Sequence, residues 1–228
     1  MYTLLSMIRG ILIAGNESAL ATAVAAEAAK RVTNFVAAFI PNRFSDAVKE
    51  KTVPSTGTFL NWNPGSPISA RTLVLAAENR LERIDDAILV CVPPALYKQP
   101  DELSSADIEI MVNDYIKGWF FLVKELAAVF KAKKAGTLSL VLVETNANAA
   151  AKDSIDLLGP SATASFRAFT QNLLSSSLCD SFQVMGFSAS DTGDDNAFAA
   201  FIFKLIEESS KRNNGRWHKF GKLSLFGR

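Results

Sequence analysis

The stretch Ile11-Leu12-Ile13-Ala14-Gly15-Asn16-Glu17-Ser18-Ala19-Leu20-Ala21 joins an apolar run to a glycine and then to an alanine-rich segment. An apolar run that stops at a glycine is typical of a buried strand, and the following Ser18–Val32 is typical of a helix. The stretch therefore predicts a buried strand, a tight turn and the beginning of a helix. A strand that passes directly into a helix is a building unit of layered α/β proteins.

Short apolar runs alternate with longer helical patterns along the rest of the chain. The predicted strands are Gly10–Ala14, Phe35–Ile40, Thr58–Trp62, Ala87–Val92, Leu138–Val143, Phe182–Phe187 and Lys222–Phe226. The predicted helices are Ser18–Val32, Ser45–Lys51, Ile68–Ile84, Ser105–Lys131, Pro160–Leu178 and Asn196–Ser209. Because such strands are covered by helices on both faces, the pattern predicts a Rossmann-like, doubly wound parallel sheet with right-handed crossovers. No internal repeat or linker interrupts it, so we expect residues 1–228 to form a single domain.

The charge balance excludes several kinds of partner. The chain has 24 Lys and Arg residues against 23 Asp and Glu, a net charge of +1. This balance gives no overall attraction to nucleic acid or to an anionic membrane. With no stretch long enough for a transmembrane helix and no secretory signal, we expect a cytoplasmic protein without a membrane partner. A basic cluster near the end of the chain is predicted to be a solvated face: Lys211, Arg212, Arg216, His218, Lys219, Lys222 and Arg228.

Few residues are suited to metal binding or nucleophilic catalysis. Cys91 and Cys179 are the two cysteines and His218 is the one histidine, which argues against a zinc site. Cys91 lies within an apolar run and is predicted to be a core residue. A Ser-His-Asp triad would have to use His218, and the sequence has no Gly-x-Ser-x-Gly motif. An acidic cluster without EF-hand spacing is predicted to be a solvated loop: Asp191, Asp194 and Asp195.

The order and spacing of the predicted elements resemble the short-chain dehydrogenases/reductases over nearly the whole chain. Four short motifs carry this resemblance: Arg83–Val90, Met111–Phe120, Ala135–Leu142 and Ala168–Thr170. The second of them is similar to the family's Val-Asn-x-x-x-x-Gly-x-Phe helix. The resemblance implies a nucleotide-binding α/β fold, and in an active member it implies hydride transfer with a dinucleotide and a catalytic Tyr-x-x-x-Lys pair.

The glycine-rich turn that binds the cofactor in that family is altered here. Its Thr-Gly-x-x-x-Gly-x-Gly motif is matched by Ala14 and Gly15, but Ala19 and Ala21 replace the later glycines. Since the backbone must approach the pyrophosphate closely, the methyl group of Ala19 would occupy space needed by the dinucleotide. Gly15 is then predicted to be only a strand-to-helix turn glycine.

The other cofactor loops of the family also differ in this chain. The segment Phe39–Arg43 lacks the acidic residue expected to bind a ribose, and Arg43 is predicted to be a solvated loop residue. Asn63-Pro64 replaces an Asp-Val pair, and Cys91-Val92-Pro93-Pro94 replaces Asn-Asn-Ala-Gly. We expect the two prolines to fill the loop beside the nicotinamide ribose. The sequence therefore predicts no cofactor-binding residue in this chain.

The catalytic group of the family is missing as well. Gly159 and Thr163 fall at the positions of its tyrosine and lysine. The lysine would lower the pKa of the tyrosine, which donates or accepts the proton at the substrate oxygen. No tyrosine of this chain has a lysine four residues later: Tyr2, Tyr97 and Tyr115.

The remaining catalytic positions are only partly matched. The family's serine falls near Val143, with Thr145 as the nearest hydroxyl, and its asparagine is matched by Asn113. An asparagine there is expected to bond helix backbone. The sequence therefore predicts no catalytic and no metal-binding residue.

Two predicted helices keep the apolar character of an interface. Ile108–Lys131 is apolar nearly all round, so we expect it to be covered on both sides. Pro160–Leu178 presents phenylalanines and leucines among small residues. In the family, the two corresponding helices pack against those of another subunit in a four-helix interface. A retained interface without a catalytic group indicates selection for association; a deep intramolecular core is the alternative.

Three hypotheses follow. The first is a degenerate, catalytically silent subunit that supports an active short-chain dehydrogenase paralogue in an α2β2 heterotetramer, as in heteromeric hydroxyacyl-CoA dehydrogenases. The active partner would bind NAD and act on acyl-CoA-type hydroxy or keto substrates. The second is an atypical reductase with Tyr115 or Tyr97 as a nonstandard acid. The third is a homo-oligomeric sensor that binds a metabolite in the cleft.

Overall fold

A single parallel sheet organises the computed structural model, which describes residues 9–32, 34–44, 57–144, 156–190, 193–208 and 212–221. Within these residues the strand order is β3-β2-β1-β4-β5-β6-β7, and every neighbouring pair is parallel. The strands are β1 (Ile11–Asn16), β2 (Phe35–Ile40), β3 (Gly57–Phe59), β4 (Asp86–Cys91), β5 (Thr137–Val143), β6 (Gln183–Ala189) and β7 (Arg216–Phe220). The predicted Rossmann-like, doubly wound sheet is confirmed.

Helices cover both faces of the sheet. They are α1 (Ala19–Arg31), α2 (Pro67–Leu81), α3 (Ser105–Val112), α4 (Gly118–Lys133), α5 (Leu158–Ser176) and α6 (Asp195–Glu207). Helices α1 and α6 lie on one face, and α2, α4 and α5 lie on the other. Side-chain oxygens of Ser18, Ser66 and Asp194 accept backbone N–H groups at the starts of α1, α2 and α6. These caps fix where each helix leaves its loop.

The two cores are built by alternate residues of the same strands. Leu12, Leu89 and Leu140 face the layer of α2, α4 and α5. Ile13 and Ile88 face the layer of α1 and α6. Both sets are fully buried, which explains why the central strands read as continuous apolar runs in the sequence.

One strand lies in a segment for which the sequence predicted a solvated basic face. Strand β7 pairs with β6 at the edge of the sheet. Trp217 packs against one core and Phe220 against the other, while the intervening His218 and Lys219 hide this alternation in the sequence. The predicted strand Lys222–Phe226 and the predicted helix Ser45–Lys51 lie outside the described residues.

The predicted helix Ser105–Lys131 is interrupted by a π-helical turn at Asn113–Lys117 and then continues to Lys133. The N–H of Gly118 donates to the carbonyl of Asn113, the five-residue spacing of a π turn. A side chain at position 118 would meet the ring of Pro64 at 2.5 Å, so glycine lets the loop after β3 approach the helix. Such turns often mark functional sites. No helix within the described residues is long and apolar enough to cross a membrane.

Candidate functional site

The carboxyl edge of the sheet is the candidate site, because ligands of open parallel sheets bind in the crevice outside these strand ends. The β1–α1 turn, the loop after β2, the loop after β4, the π-helical turn and the start of α5 meet along this edge. Each of these segments carries residues that the family resemblance aligns with cofactor-binding or catalytic positions.

Gly15 is a strand glycine and not the predicted turn glycine. It pairs with Phe39 of β2 and lies beside β4, where an added Cβ would sit 2.8 Å from the carbonyl oxygen of Val90. The close approach of β4 therefore requires glycine. The sequence prediction was wrong because the local sequence does not indicate which strand packs beside Gly15.

The turn between β1 and α1 consists only of Glu17 and Ser18. The hydroxyl of Ser18 accepts the N–H of Ala21 at 3.1 Å. In a dinucleotide-binding turn, N–H groups at this helix end would face the pyrophosphate. Here one of them is occupied by the chain's own serine, and Ala21 is completely buried.

The loop after β4 packs directly on the start of α5. Tyr97 of this loop forms an antiparallel bridge with Asp156, and the Asp156 carboxylate accepts the N–H of Gly159 at 2.9 Å. A Cβ at position 159 would lie 2.5 Å from Asp156 Oδ2 and 2.6 Å from the carbonyl oxygen of Pro94. The position where the resemblance expects the catalytic tyrosine therefore has no room for any side chain.

Thr163 and Asn113, at two further positions of the family's catalytic group, contact neighbouring parts of the protein. The hydroxyl of Thr163 donates to the carbonyl of Gly159 at 2.9 Å, within α5. The Asn113 side chain lies against Gly65 in the loop after β3, where an added Cβ would be 3.3 Å from Asn113 Cγ. Val143 is the last residue of β5. Thr145 and Tyr2 lie outside the described residues.

Neither described tyrosine is well placed as a nonstandard acid. Tyr115 is 2% exposed, and burial raises the pKa of its hydroxyl, away from the range useful for proton transfer near neutrality. Tyr97 is half exposed and its backbone bridges to Asp156. This geometry argues against the atypical reductase.

A buried polar cluster lies beside these positions and was missed by the sequence reasoning. Asp114, on the π-helical turn, is 1% exposed and its Oδ2 is 3.3 Å from Nε of Arg43, in the loop after β2. The Asn16 side chain, at the end of β1, donates to the carbonyl of Asp114 at 3.4 Å. Arg43 is thus half exposed but paired, not the solvated loop residue that the sequence predicted. No sequence motif links residues so far apart in the chain.

The charge of Asp114 is only partly supported by its surroundings. Burial raises the pKa of its carboxyl group, and the guanidinium of Arg43 lowers it. Apart from the ion pair between Arg43 and Oδ2, neither carboxylate oxygen accepts a hydrogen bond, and Oδ1 of Asn16 is likewise without one. A buried carboxylate in this state costs stability.

Solved structures of the same architecture are short-chain dehydrogenases/reductases. A short-chain dehydrogenase from Bacillus anthracis matches with a TM-score of 0.72 and 16% identity, over 93% of this chain and 94% of that chain. A short-chain type dehydrogenase/reductase from Mycobacterium marinum matches with a TM-score of 0.75 and 14% identity, over 93% of both chains. A protein described as a 3-oxoacyl-reductase, from Bacillus thuringiensis, matches with a TM-score of 0.72 and 14% identity, over 93% of this chain and 96% of that chain.

This chain has the fold of the short-chain dehydrogenases/reductases. No protein-family model and no curated protein sequence matches it. The shared feature shown by these comparisons is therefore the backbone architecture.

A groove of about 470 Å³ lies at the opposite, amino edge of the sheet. Its charged groups largely neutralise each other: Arg9 forms an ion pair with Asp86, and Arg83 Nε lies 2.9 Å from Asp85 Oδ2. Although burial opposes it, the hydrogen bond from Lys133 holds the pKa of Asp85 below its usual value. Because these charges are already paired and the crevice of the fold is at the other edge, we do not assign the function to this groove.

Residues of the types that bind metals or act as nucleophiles do not cluster in the described part of the chain. Within the described residues, no group of three or more His, Cys, Asp or Glu side chains could hold a metal ion. Cys91 is buried and Cys179 is exposed, and both are free thiols. Asp194 caps α6 rather than belonging to a solvated acidic loop, and Asp191 lies outside the described residues.

Most of the apolar side chains of helix α4 are covered by this chain itself. Trp119 and Leu126 are in the core below it, and α2 packs beside it. Phe120 remains 48% exposed, with its ring centroid 4.4 Å from that of Phe169 on α5. The intramolecular core therefore accounts for most of the apolar positions, and an aromatic pair across α4 and α5 stays at the surface.

Proposed function

We propose that this chain is a degenerate short-chain dehydrogenase/reductase that acts as a catalytically silent, cytoplasmic subunit. It assembles with an active paralogue, as an α2β2 heterotetramer, and supports its partner's pocket. The partner binds NAD and transfers the hydride, with acyl-CoA-type hydroxy or keto compounds as the substrate class.

The observation that carries this proposal is the environment of Gly159. A tyrosine at this position would have to displace a backbone carbonyl of Pro94 and a carboxylate that already accepts the glycine N–H. Restoring a catalytic pair would thus require a different loop after β4 and not only two substitutions. The site has been rebuilt around the absence of the tyrosine, which supports a role without catalysis.

The cofactor side supports the same conclusion. Ala21 is fully buried and its N–H bonds Ser18, so that donor is not directed to a phosphate. The loop that begins at Val92 is tied to α5 through Tyr97 and Asp156. The resemblance would place the nicotinamide ribose beside this loop.

The surface of α4 and α5 supports association. Phe120 is half exposed with its ring tilted against that of Phe169, and Val112 on α3 is 40% exposed. These helices correspond to the ones that the resemblance assigns to the subunit interface. Complete burial of a phenylalanine side chain contributes about 1.5 to 3 kcal/mol, so covering the exposed half of Phe120 would contribute roughly half of that.

The test is affinity purification of the tagged chain from its native source, followed by mass spectrometry. We expect an intact short-chain dehydrogenase in equal amount, and we expect Phe120→Asp to abolish its recovery. Ile68→Asp is the matched control, because Ile68 is 77% exposed on α2, outside the α4–α5 surface. Recovery of the wild-type chain as a monomer without a partner would refute the proposal.

A second measurement, of dinucleotide binding, distinguishes a catalytically silent subunit from an active reductase. Calorimetric titration of the isolated chain with NAD, NADH, NADP and NADPH should show no binding, and Ala19→Gly should not restore it because the loop after β4 remains in place. Micromolar binding corresponds to about 8 kcal/mol and would favour the atypical reductase instead.

A further inference from the structure

The groove at the amino edge of the sheet holds more positive than negative charge. Its lining includes these charged side chains: Arg9, Arg83, Lys134, Asp85 and Asp86. Lys133 adds a fourth cation, because its Nζ lies 2.7 Å from Oδ1 of Asp85. With both carboxylates ionised, four positive charges against two negative charges leave an excess of two. The carbonyl ends of α2 and α4, each equivalent to roughly half a negative charge, offset about half of this excess.

The two carboxylates hold the arginines in place without using all of their N–H groups. Arg9 donates to Asp86 through Nε and Nη2, and Arg83 donates to Asp85 through Nε at 2.9 Å. Among the described residues, nothing accepts a hydrogen bond from Nη1 of Arg9 or from either Nη of Arg83. Because a guanidinium is a rigid planar fork, an arginine that is fixed through one edge binds a ligand with little further loss of entropy.

Lys134 lines the same groove and has no ion pair within the described part of the chain. It ends α4 in the left-handed conformation, with a φ of 56°. A side chain is strained in this conformation, and glycine is the usual residue at such a helix end. Since strained residues are often kept for the use of their side chains, the free ammonium group of Lys134 points to a ligand.

Three cationic side chains with unused donors match the terminal oxygens of a phosphate monoester. This group has three strong acceptor oxygens and a charge of about −1.5 to −2 at pH 7. A carboxylate has only two oxygens and a single charge, so it would leave one of the three cations without a partner. The excess of positive charge in the groove likewise favours the phosphate.

The groove is also large enough for an organic group attached to the phosphate. Its volume of about 470 Å³ lies within the range of small-molecule sites, roughly 300 to 1,000 Å³. Ala135 and Phe182 line it beside the charged residues, together with the hydroxyl-bearing Ser181. The remainder of a small ligand would therefore meet both carbon atoms and a hydrogen-bonding group.

We propose that this groove binds the phosphate group of a small phosphorylated compound, with Arg9, Arg83 and Lys134 as the donors. Asp85 and Asp86 then serve to position the two arginines. The inference goes beyond the proposed silent subunit and does not depend on it, because the groove lies at the edge of the sheet opposite to the family's cofactor and catalytic positions.

The test is calorimetric titration of the purified full chain with glycerol 3-phosphate, at low ionic strength in a buffer free of phosphate and sulfate. We expect saturable binding, with glycerate and inorganic phosphate each binding about tenfold more weakly or less. Lys134→Gly removes the ammonium group and should weaken binding about tenfold or more, since a hydrogen bond to a charged group is worth at least that factor. Lys124→Ala is the matched control, because Lys124 is 76% exposed on the same helix and does not line the groove.

Stability distinguishes a ligand-binding lysine from a structural one. Glycine adopts the left-handed conformation without strain, so Lys134→Gly should keep or raise the melting temperature of the free protein. Glycerol 3-phosphate should raise the melting temperature of the wild-type protein and of Lys124→Ala, but not that of Lys134→Gly. A lower melting temperature of Lys134→Gly with unchanged affinity would make Lys134 a stabilising cation of the helix end and overturn the proposal.

Three further outcomes would also overturn it. The first is the absence of saturable binding, which would leave the groove a solvated charged surface. The second is an equal loss of affinity in Lys124→Ala, which would show attraction to the overall charge of the protein and not to this groove. The third is equal affinity for glycerate or for inorganic phosphate, which would remove the assignment to a phosphorylated organic compound.

Discussion

Replacing Gly159 by alanine should destabilise the protein, although the same change stabilises most helices. In a helix interior, alanine is favoured over glycine by about 1 kcal/mol. Gly159 is the second residue of α5, so the expected gain there is smaller. The new Cβ would lie 2.6 Å from the carbonyl oxygen of Pro94 and 2.5 Å from Oδ2 of Asp156. Both distances are well inside van der Waals contact.

The size of the stability loss depends on which neighbouring atom can move away from the new Cβ. The Pro94 oxygen is backbone and follows another proline, so it moves only with the loop. Asp156 can rotate, but it would then release the Gly159 N–H that it accepts at 2.9 Å, a charged hydrogen bond worth about 1.5 to 3 kcal/mol. Overpacking of this kind costs about 1 to 3 kcal/mol. Set against the helical gain, the net loss is about 1 to 2 kcal/mol, or roughly 2 to 8 °C in melting temperature for a chain of this size.

The assay is urea unfolding of the wild-type chain and Gly159→Ala, followed by circular dichroism. Ala164→Gly is the matched control, because Ala164 is exposed on the same helix and reports the intrinsic difference between alanine and glycine there. If Gly159→Ala instead stabilised the protein by about the amount that Ala164→Gly costs, the loop after β4 would not be packed on α5. The tyrosine position would then not be blocked by Pro94 and Asp156.

Two further predictions concern single side chains. Burial lowers the pKa of His218 below its ordinary value of 6.5, and its single NMR signal can be followed by titration. Because the unfolded chain binds this proton more readily than the folded chain, the neutral His218 ring contributes stability above pH 6.5, and this contribution is lost as the pH falls through the folded pKa. The variant His218→Gln should lose this pH dependence of stability. A measured His218 pKa of 6.5 or higher would contradict the burial. Ellman's reagent should react quickly with Cys179 alone in the native protein and with Cys91 only after unfolding, because Cys91 is buried at the end of β4. A fast reaction that persists in Cys179→Ser would show that this strand end is open.

The strands and helices could be read from the sequence wherever burial is uniform. Strand β2 coincides with the predicted Phe35–Ile40, β5 begins one residue earlier than predicted, and β4 is displaced from its prediction by one residue at both ends. Periodicity failed where the pattern is mixed. Strand β7 mixes two aromatic residues with polar and charged side chains at a sheet edge, and the π-helical turn lies inside a longer helical pattern.

The candidate site could be read only in part. Against the family pattern that the sequence resembles, Ala19 stands where a glycine is expected and Gly159 where the tyrosine is expected. They do not show that the place of the tyrosine is occupied by Pro94, or that Gly15 is held against Val90. Both facts depend on contacts between segments that are far apart along the chain.

The sequence by itself determined the layered α/β fold, because burial on both faces leaves a periodic pattern in each strand and helix. It also determined which catalytic residue types are absent. Only the tertiary structure decided that the loop after β4 leaves no room for a side chain at position 159, and that Asp114, Asn16 and Arg43 meet in a polar cluster. The physical reason is that these properties come from distances between strand ends, and the folding of the sheet, not the order of residues, sets those distances.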